Sequence, residues 1–289
     1  MARQVGQELG EEDGVIVFDP SAFPKQGQQS VGVQRQWCGR LGKTDNCQVA
    51  IYMAYVSRKD QALVNTRLYL PEEWAKDRKR RNTAGVPKTV KFQTRHQQAL
   101  DMLKEQGHLL PHAWISGDDE MGRNTFFRRD LNNLPEQYLL AVPSNTLIRD
   151  LDQAVPEYPG HGGVHKQQFQ RVDAWRDAQP ETAWTRINVR DGEKGPLEVE
   201  VASCRVQAKN DGRVMCYEET LVVIRSLNKN REVTQYDFYL SNAARETSEK
   251  EFARVALAAH RIEEAIKRGK SEAGLSDYEV RNWSGWHHH

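Results

Sequence analysis

The chain has 289 residues, 38% hydrophobic and 28% charged, enough for one large domain or two ordinary ones around a substantial core. Its 41 basic and 40 acidic side chains leave a net charge of +1, which excludes binding of nucleic acid through overall basicity and makes any such surface local. No run approaches the ~20 apolar residues of a membrane span, the polar start MARQVGQELGEEDG does not read as a secretory signal, and four Cys at 38, 47, 204 and 216 exclude a disulfide scaffold and, without a C-x-x-C pair, do not read as a structural zinc site.

The thiols are expected to be reduced, as in a cytoplasmic protein. Residues 1–13 are polar and are expected to fray. Val15-Ile16-Val17-Phe18 reads as a buried strand ended by Asp19-Pro20, so that an aspartate stands at its C-terminal end. Cys47–Val56 and Ala62–Leu70 read as further strands, the latter closed by Pro71, and 71–94 as loops carrying a basic run. Gln93–Gly107 reads as a helix capped by Thr94 and stopped by Gly107. His112–Gly117 is a strand that again runs into acid, Asp118-Asp119-Glu120; a helix over Arg123–Leu134 and a strand over Tyr138–Val142 follow.

Residues 153–180, rich in Gly, Pro, His and Gln, read as a long loop. Beyond it Trp184–Val189, Leu197–Gln207, Val214–Ser226 and Val233–Leu240 alternate as strands between turns at Asp191-Gly192, Asp211-Gly212 and Asn228-Lys229-Asn230. Ser248–Ala273 returns to helix behind a Ser248/Glu251 capping-box pattern. The expected architecture is an α/β mixed sheet flanked by helices over 14–180 and 243–289, interrupted by an antiparallel β-rich insertion over 181–242.

Asp19, Asp118 and Glu263 stand out by placement. Carboxylates suit Mg²⁺ or Mn²⁺, and two such ions ~3.5–4 Å apart activate a nucleophilic oxygen and stabilise a leaving oxygen at a phosphodiester. Each acid also has a plain structural explanation. An Asp before Pro serves turns, an acid cluster suits a helix N-terminus, and Glu263 and Glu264 suit a solvated helix face.

The segment VIVFDPSAFPKQGQQSVGVQRQWCGRLGKTDNCQVAIYMAYVS resembles the opening of the catalytic domain of DDE transposases of bacterial insertion sequences, the insertion sequence 701 group above all. RLYLPEEWAKDRKRRNTAGVP, WISGDDEMG and KSEAGLSDYEVRNWSGWHHH resemble further landmarks of that group, so the likeness runs from about Val15 to His289. It implies an RNase H-like fold with a β-rich insertion before the last catalytic helix. It places the three catalytic, metal-holding acids on Asp19, Asp118 and Glu263, and a phosphate-contacting lysine on Lys270. Two Mg²⁺ (or Mn²⁺) ions, a double-stranded DNA substrate at transposon ends and target, a homodimer bridging two ends, and a bacterial cytoplasmic, nucleoid-associated location are implied with it.

Glu264 competes with Glu263, and Asp119 less strongly with Asp118. Relatives carry Tyr and Arg seven and four positions before the glutamate, where this chain has Ala256 and Ala259; Arg261 is the nearest substitute. Relatives also have longer ends, so a chain truncated at both ends is expected, and an inactive remnant that only binds DNA or a partner chain is the competing function. A nuclease unrelated to transposition is a third.

For DNA contact the candidates are Arg78, Lys79, Arg80 and Arg81, with Lys25, Arg35 and Arg40 after the first strand. A basic run is equally a solvated face. Trp184 suits either a core position or, as in relatives, stacking on a flipped base. Trp283 and Trp286 with His287–His289 read as a structural contact of the C-terminal segment.

Overall fold

The computed structural model describes residues 1–154, 168–192, 195–210, 212 and 217–289. Residues 155–167 of the expected 153–180 loop, Asp211 of its turn and the Val214–Cys216 start of a strand lie outside the described residues; the rest of that stretch is not all loop, since Gln170–Arg171 pairs as a short strand and Val172–Asp177 is a helix whose Val172 and Trp175 are buried. The chain forms two compact units, 1–112 with 259–289, and 113–258. Strands in parallel and antiparallel pairs flanked by helices give the expected α/β class, consistent with an RNase H-like fold.

The first unit opens with a helix, α1 (Ala2–Leu9), where fraying is expected. Ala2 is buried, and the Lys59 ammonium donates to the carbonyls of Glu8 and Gly10 at the helix end. Gly6 sits so close to Leu109 that an added Cβ would stand 2.0 Å from its carbonyl oxygen, which is why a glycine is needed there. These partners lie far along the chain, so local composition does not announce the helix.

Strand β1 (Val15–Pro24) runs through Asp19 and Pro20 rather than ending there. Proline donates nothing to a ladder and is tolerated where its nitrogen faces away from the paired strand. β1 pairs antiparallel with β3 (Lys43–Val56) from Val15↔Val56 to Pro24↔Cys47, which sets Asp19 opposite Tyr52. β2 (Gln34–Cys38) covers the other side of β3; its polar QRQWC, with Trp37 57% exposed, gives no strand signal in the sequence. β4 (Gln61–Leu68) also pairs with β3.

The stretch after Pro71 is not all loop. It holds α2 (Glu72–Lys76) and α3 (Arg78–Thr83), the latter capped by the Asp77 carboxylate accepting from the Arg80 N–H at 2.9 Å. α4 (Arg95–Gln106) starts at the expected Thr94 cap, which the structure extends to a full capping box, Thr94 and Gln97 each accepting from the other's backbone N–H. The continuous burial of Cys47–Val56 marks β3 as the central strand, covered on both faces.

In the second unit β5 (Trp114–Gly117) leads into α5 (Asp119–Gly122) and α6 (Thr125–Asn133), which return the chain to β6 (Tyr138–Ala141), parallel to β5. Next come β7 (Leu147–Asp150), the two-residue β8 (Gln170–Arg171) and α7 (Val172–Asp177). β9 (Thr185–Gly192), β10 (Gly195–Ala208), β11 (Glu219–Leu227) and β12 (Val233–Ser241) form the expected antiparallel block. β10 also pairs with β7, and β12 with β6, so the block extends the unit's own sheet. A core of Val142, Ile148, Trp175, Val206, Leu221 and Phe238 lies against it.

α8 (Glu249–Glu272) begins at Ser248, whose hydroxyl accepts from the Glu251 N–H; the Glu251 carboxylate in turn receives the Trp114 indole N–H at 2.8 Å. The division between units falls inside α8, between Ala258 and Ala259. α9 (Trp283–His288) closes the chain in the first unit, where Trp286 is buried and donates to the Tyr278 hydroxyl. Cys38, Cys47 and Cys204 are free and buried; burial and the neighbouring Cys38 push the Cys47 thiol up to about 12, so it stays protonated. Among the described residues no helix is long and apolar enough to cross a membrane.

Candidate active site

Side chains alternate along a strand, so Asp19, Ser21 and Phe23 of β1 share one face. α8 delivers Lys270 to that face. Its ammonium donates to the Ser21 hydroxyl at 2.7 Å and the Ala22 carbonyl at 3.0 Å, and lies 4.6 Å from the Phe23 ring centroid. Burial lowers the Lys270 pKa; the negative charge of Asp19 opposes that shift and the Arg40 charge adds to it. Asp19, Lys270 and Arg40 therefore lie within electrostatic reach of one another.

Facing Asp19 across the ladder, the Tyr52 hydroxyl is pushed well up, first by burial, then by Tyr278 and, in smaller measure, by the Asp19 charge. Tyr278 completes this face. Its ring lies 5.8 Å from that of Phe23 and its hydroxyl donates to the Gln48 amide oxygen. Lys25 donates to the Tyr278 carbonyl and sits 3.5 Å from the ring centroid, and burial lowers its pKa against the pull of Glu279. Lys25 thus ties the C-terminal segment to β1. Ser21 and Tyr278 carry no signal in the sequence that links them to this face.

Glu263 lies on α8 seven residues before Lys270, about 20° from the same helical azimuth after two turns. Ile266 and Ile262, about 60° and 100° round the helix from Glu263 on the side away from Glu264, are buried. Glu264 stands about 100° further round and pairs with Arg268 at 3.1 Å. Glu263 is 59% exposed, with His260 at 3.7 Å. Arg261, the nearest substitute for the missing arginine, is engaged at the Ser57 carbonyl at 3.2 Å with Asp60 at 4.0 Å.

Asp118, in the second unit, follows β5 and caps α5, one carboxylate oxygen accepting from the Met121 N–H at 3.1 Å. The helix-cap explanation and the metal-ligand explanation are compatible, because a carboxylate has further lone pairs. Asp119 pairs with Arg123 at 2.5 Å on the exposed side. Among the described residues no group of three or more His, Cys, Asp or Glu side chains gathers as a metal site. The candidate donors are carboxylate oxygens, the hard ligands that Mg²⁺ and Mn²⁺ accept.

The basic run divides in two. Arg80 lies over the Trp74 ring at 3.8 Å and donates to the Gln28 carbonyl, while Arg81 donates to the carbonyls of Ala75, Pro87 and Val90 and so holds the following loop. Arg78 and Lys79 are exposed. Arg35 is exposed and reaches the Thr44 carbonyl at 3.5 Å. Trp184, partly buried, packs against the second unit's core with Arg225 4.3 Å from its ring centroid and Tyr236 at 6.2 Å.

No curated protein is similar enough to this chain to count as a relative. A family model described as DDE superfamily endonuclease matches residues 1–196, about two thirds of the 289. Nucleases of that superfamily act on DNA and use divalent metals. The chain belongs to the DDE superfamily endonucleases.

Proposed function

We propose that the protein is a transposase of the insertion sequence 701 group, which hydrolyses a DNA phosphodiester at the ends of its element and transfers the freed 3′ strand to target DNA. Asp19, Asp118 and Glu263 are the acids of this reading and hold two Mg²⁺ (or Mn²⁺) ions. The observation that carries it is Lys270. A lysine two turns beyond Glu263 on one helical face reaches the face of β1 that bears Asp19. A divalent cation bound there supplies charge neutralisation at the scissile phosphate. The chain's own contribution is positioning: Lys270 and Arg40 set positive charge beside Asp19, where a phosphate oxygen is to be held.

Purified chain incubated with element-end DNA and Mg²⁺ or Mn²⁺ is expected to nick at the end and, with target present, to join strands. Glu263→Gln is expected to lose both reactions and Glu264→Gln to keep both. Loss in Glu264→Gln with retention in Glu263→Gln moves the third acid by one residue.

The exposure of Glu263 and the absence of a gathered acid cluster among the described residues favour a second reading, DNA binding without turnover. Element-end DNA bound tightly but left uncut under both metals would establish it.

Arg78 and Lys79 are the proposed backbone contacts of α3. Arg78→Ala with Lys79→Ala is expected to flatten the dependence of log affinity on log salt by about 2, since each phosphate contact contributes roughly 0.9. Arg81→Ala is expected to leave that slope unchanged and to lower thermal stability, because its guanidinium serves three backbone carbonyls. Equal slopes for the double variant and the unaltered chain would make the run a solvated face.

A further inference from the structure

Ser21 is 8% exposed within β1, and its hydroxyl is the one side-chain oxygen that the Lys270 ammonium meets among the described residues. A lysine only donates, so the Ser21 oxygen accepts from it. An ammonium has three N–H groups. Two are placed, on Ser21 Oγ at 2.7 Å and on the Ala22 carbonyl at 3.0 Å. The Phe23 ring, with its centroid 4.6 Å away, favours the charge through its face. No third oxygen receives the ammonium among the described residues.

Three consecutive residues of one strand therefore fix where the ammonium stands and leave one N–H over. The strand is itself held through a ten-residue register with β3, so the clamp sits on a rigid support. A free lysine side chain loses much rotamer freedom on meeting a phosphate. Here that loss has occurred before any DNA arrives. Asp19 and Ser21 are neighbours on one face of the strand, and such positions stand roughly 6–7 Å apart.

We propose that Ser21 is a positioning residue, whose hydroxyl holds the Lys270 ammonium at a set distance from Asp19 so that the remaining N–H meets a phosphate oxygen of the DNA. The inference rests on the DNA-processing reading and deepens it. Ser21 acts through Lys270. The Ala22 carbonyl belongs to the backbone and stays in place when the hydroxyl is removed, so the loss is partial.

Ser21→Val and Ser21→Thr have nearly the same shape and differ in the hydroxyl, and both suit a strand. Single-turnover cleavage of element-end DNA by the full chain is expected to slow about 10- to 100-fold in Ser21→Val, the scale of a misplaced group, and largely to recover in Ser21→Thr. Affinity for the same DNA in EDTA is a readout independent of cutting. Lys270→Met is expected to lower the slope of log affinity against log salt by roughly 0.9, one phosphate contact, and Ser21→Val by most of that. Ser21→Val is expected to add nothing to either loss in a Lys270→Met chain. All measurements are made below the thermal midpoint, and Ser21→Ala, which adds no atoms, repeats them if Ser21→Val does not fold.

A tie that served only the fold would move the thermal midpoint and leave the salt slope and the rate alone. That result overturns the proposal, as does a slope unchanged by Lys270→Met or a full further loss from Ser21→Val in the Lys270→Met chain. Normal cleavage with an unchanged slope in Ser21→Val counts against Ser21 alone. A lowered slope in Ser21→Val, with an unaltered chain that cuts under neither Mg²⁺ nor Mn²⁺, supports the clamp and counts against the cleavage reading alone.

Discussion

Asp19→Asn is expected to reduce metal-dependent DNA cleavage by at least about 10³-fold, since loss of one acid from a two-metal site forfeits several kcal/mol of transition-state stabilisation. The substitution is nearly isosteric, and Asp19 is half-buried on a strand whose ten-residue register with β3 does not depend on its charge. The chain is therefore expected to fold, with one measurable side effect. The Asp19 charge opposes the desolvation that lowers the Lys270 pKa, so its removal lowers that pKa further.

The sign of the pH effect follows. Folded Lys270 holds its proton less tightly than in the unfolded chain, so the group opposes folding at neutral pH. That opposition fades as pH rises through the lowered pKa towards the ordinary value of 10.5. Asp19→Asn is expected to deepen it, giving a lower thermal midpoint at pH 7 that recovers on raising the pH. Adding Lys270→Met is expected to restore the midpoint but not cleavage. Full cleavage by a folded Asp19→Asn chain would remove Asp19 from the site. An unchanged midpoint at every pH would mean that the Asp19–Lys270 coupling is negligible.

Those two residues also show what could be read from the sequence. Asp19 stands out by its placement after an apolar run, whereas Lys270 and its seven-residue spacing from Glu263 come only through the family likeness. Several local signals hold: the Thr94 cap, the apolar run of β3, the antiparallel strands from β9 onward and the start of α8. The misreadings share a different cause. Asp19 stands mid-strand because pairing with β3 carries β1 past Pro20, a long-range effect. The basic run splits because the loop after α3 folds back to put the Pro87 and Val90 carbonyls on Arg81. β2 forms on a polar sequence because it needs only one paired edge. Ser21 and Lys270 meet across 249 positions, and nothing in the residues near either one encodes that contact.

The largest stability effect is expected from a cluster in the second unit. Arg128 and Glu219, with side chains 4% and 1% exposed, pair at 2.9 Å. The same Glu219 oxygen receives the Tyr138 hydroxyl at 2.7 Å, and burial next to that carboxylate raises the Tyr138 pKa well above its ordinary value. The other Glu219 oxygen has no partner among the described residues, so the pair is desolvated without being fully satisfied. Removing one charge leaves the other buried and uncompensated, a loss of about 3–5 kcal/mol.

Glu219→Leu and Arg128→Met are each expected to lose that much in urea unfolding. The double variant is expected to lose far less than the sum, because neither charge is then stranded. Single losses below about 1 kcal/mol, the scale of an exposed pair, or strict additivity, would contradict the argument.

The cluster also bears on chemistry through Gly122. Arg128 donates to the Gly122 carbonyl at 2.5 Å and to the Asn210 side chain at 3.1 Å. Gly122 packs against β6 so tightly that an added Cβ would stand 1.9 Å from the Ala141 carbonyl oxygen. The turn of α5 that Asp118 caps is thus pinned at its far end by a buried guanidinium. Arg128→Met in the double variant is therefore expected to lower cleavage even where stability is largely recovered, with Asp118 present but less firmly held. Full cleavage by that variant would make the cluster a purely structural tie.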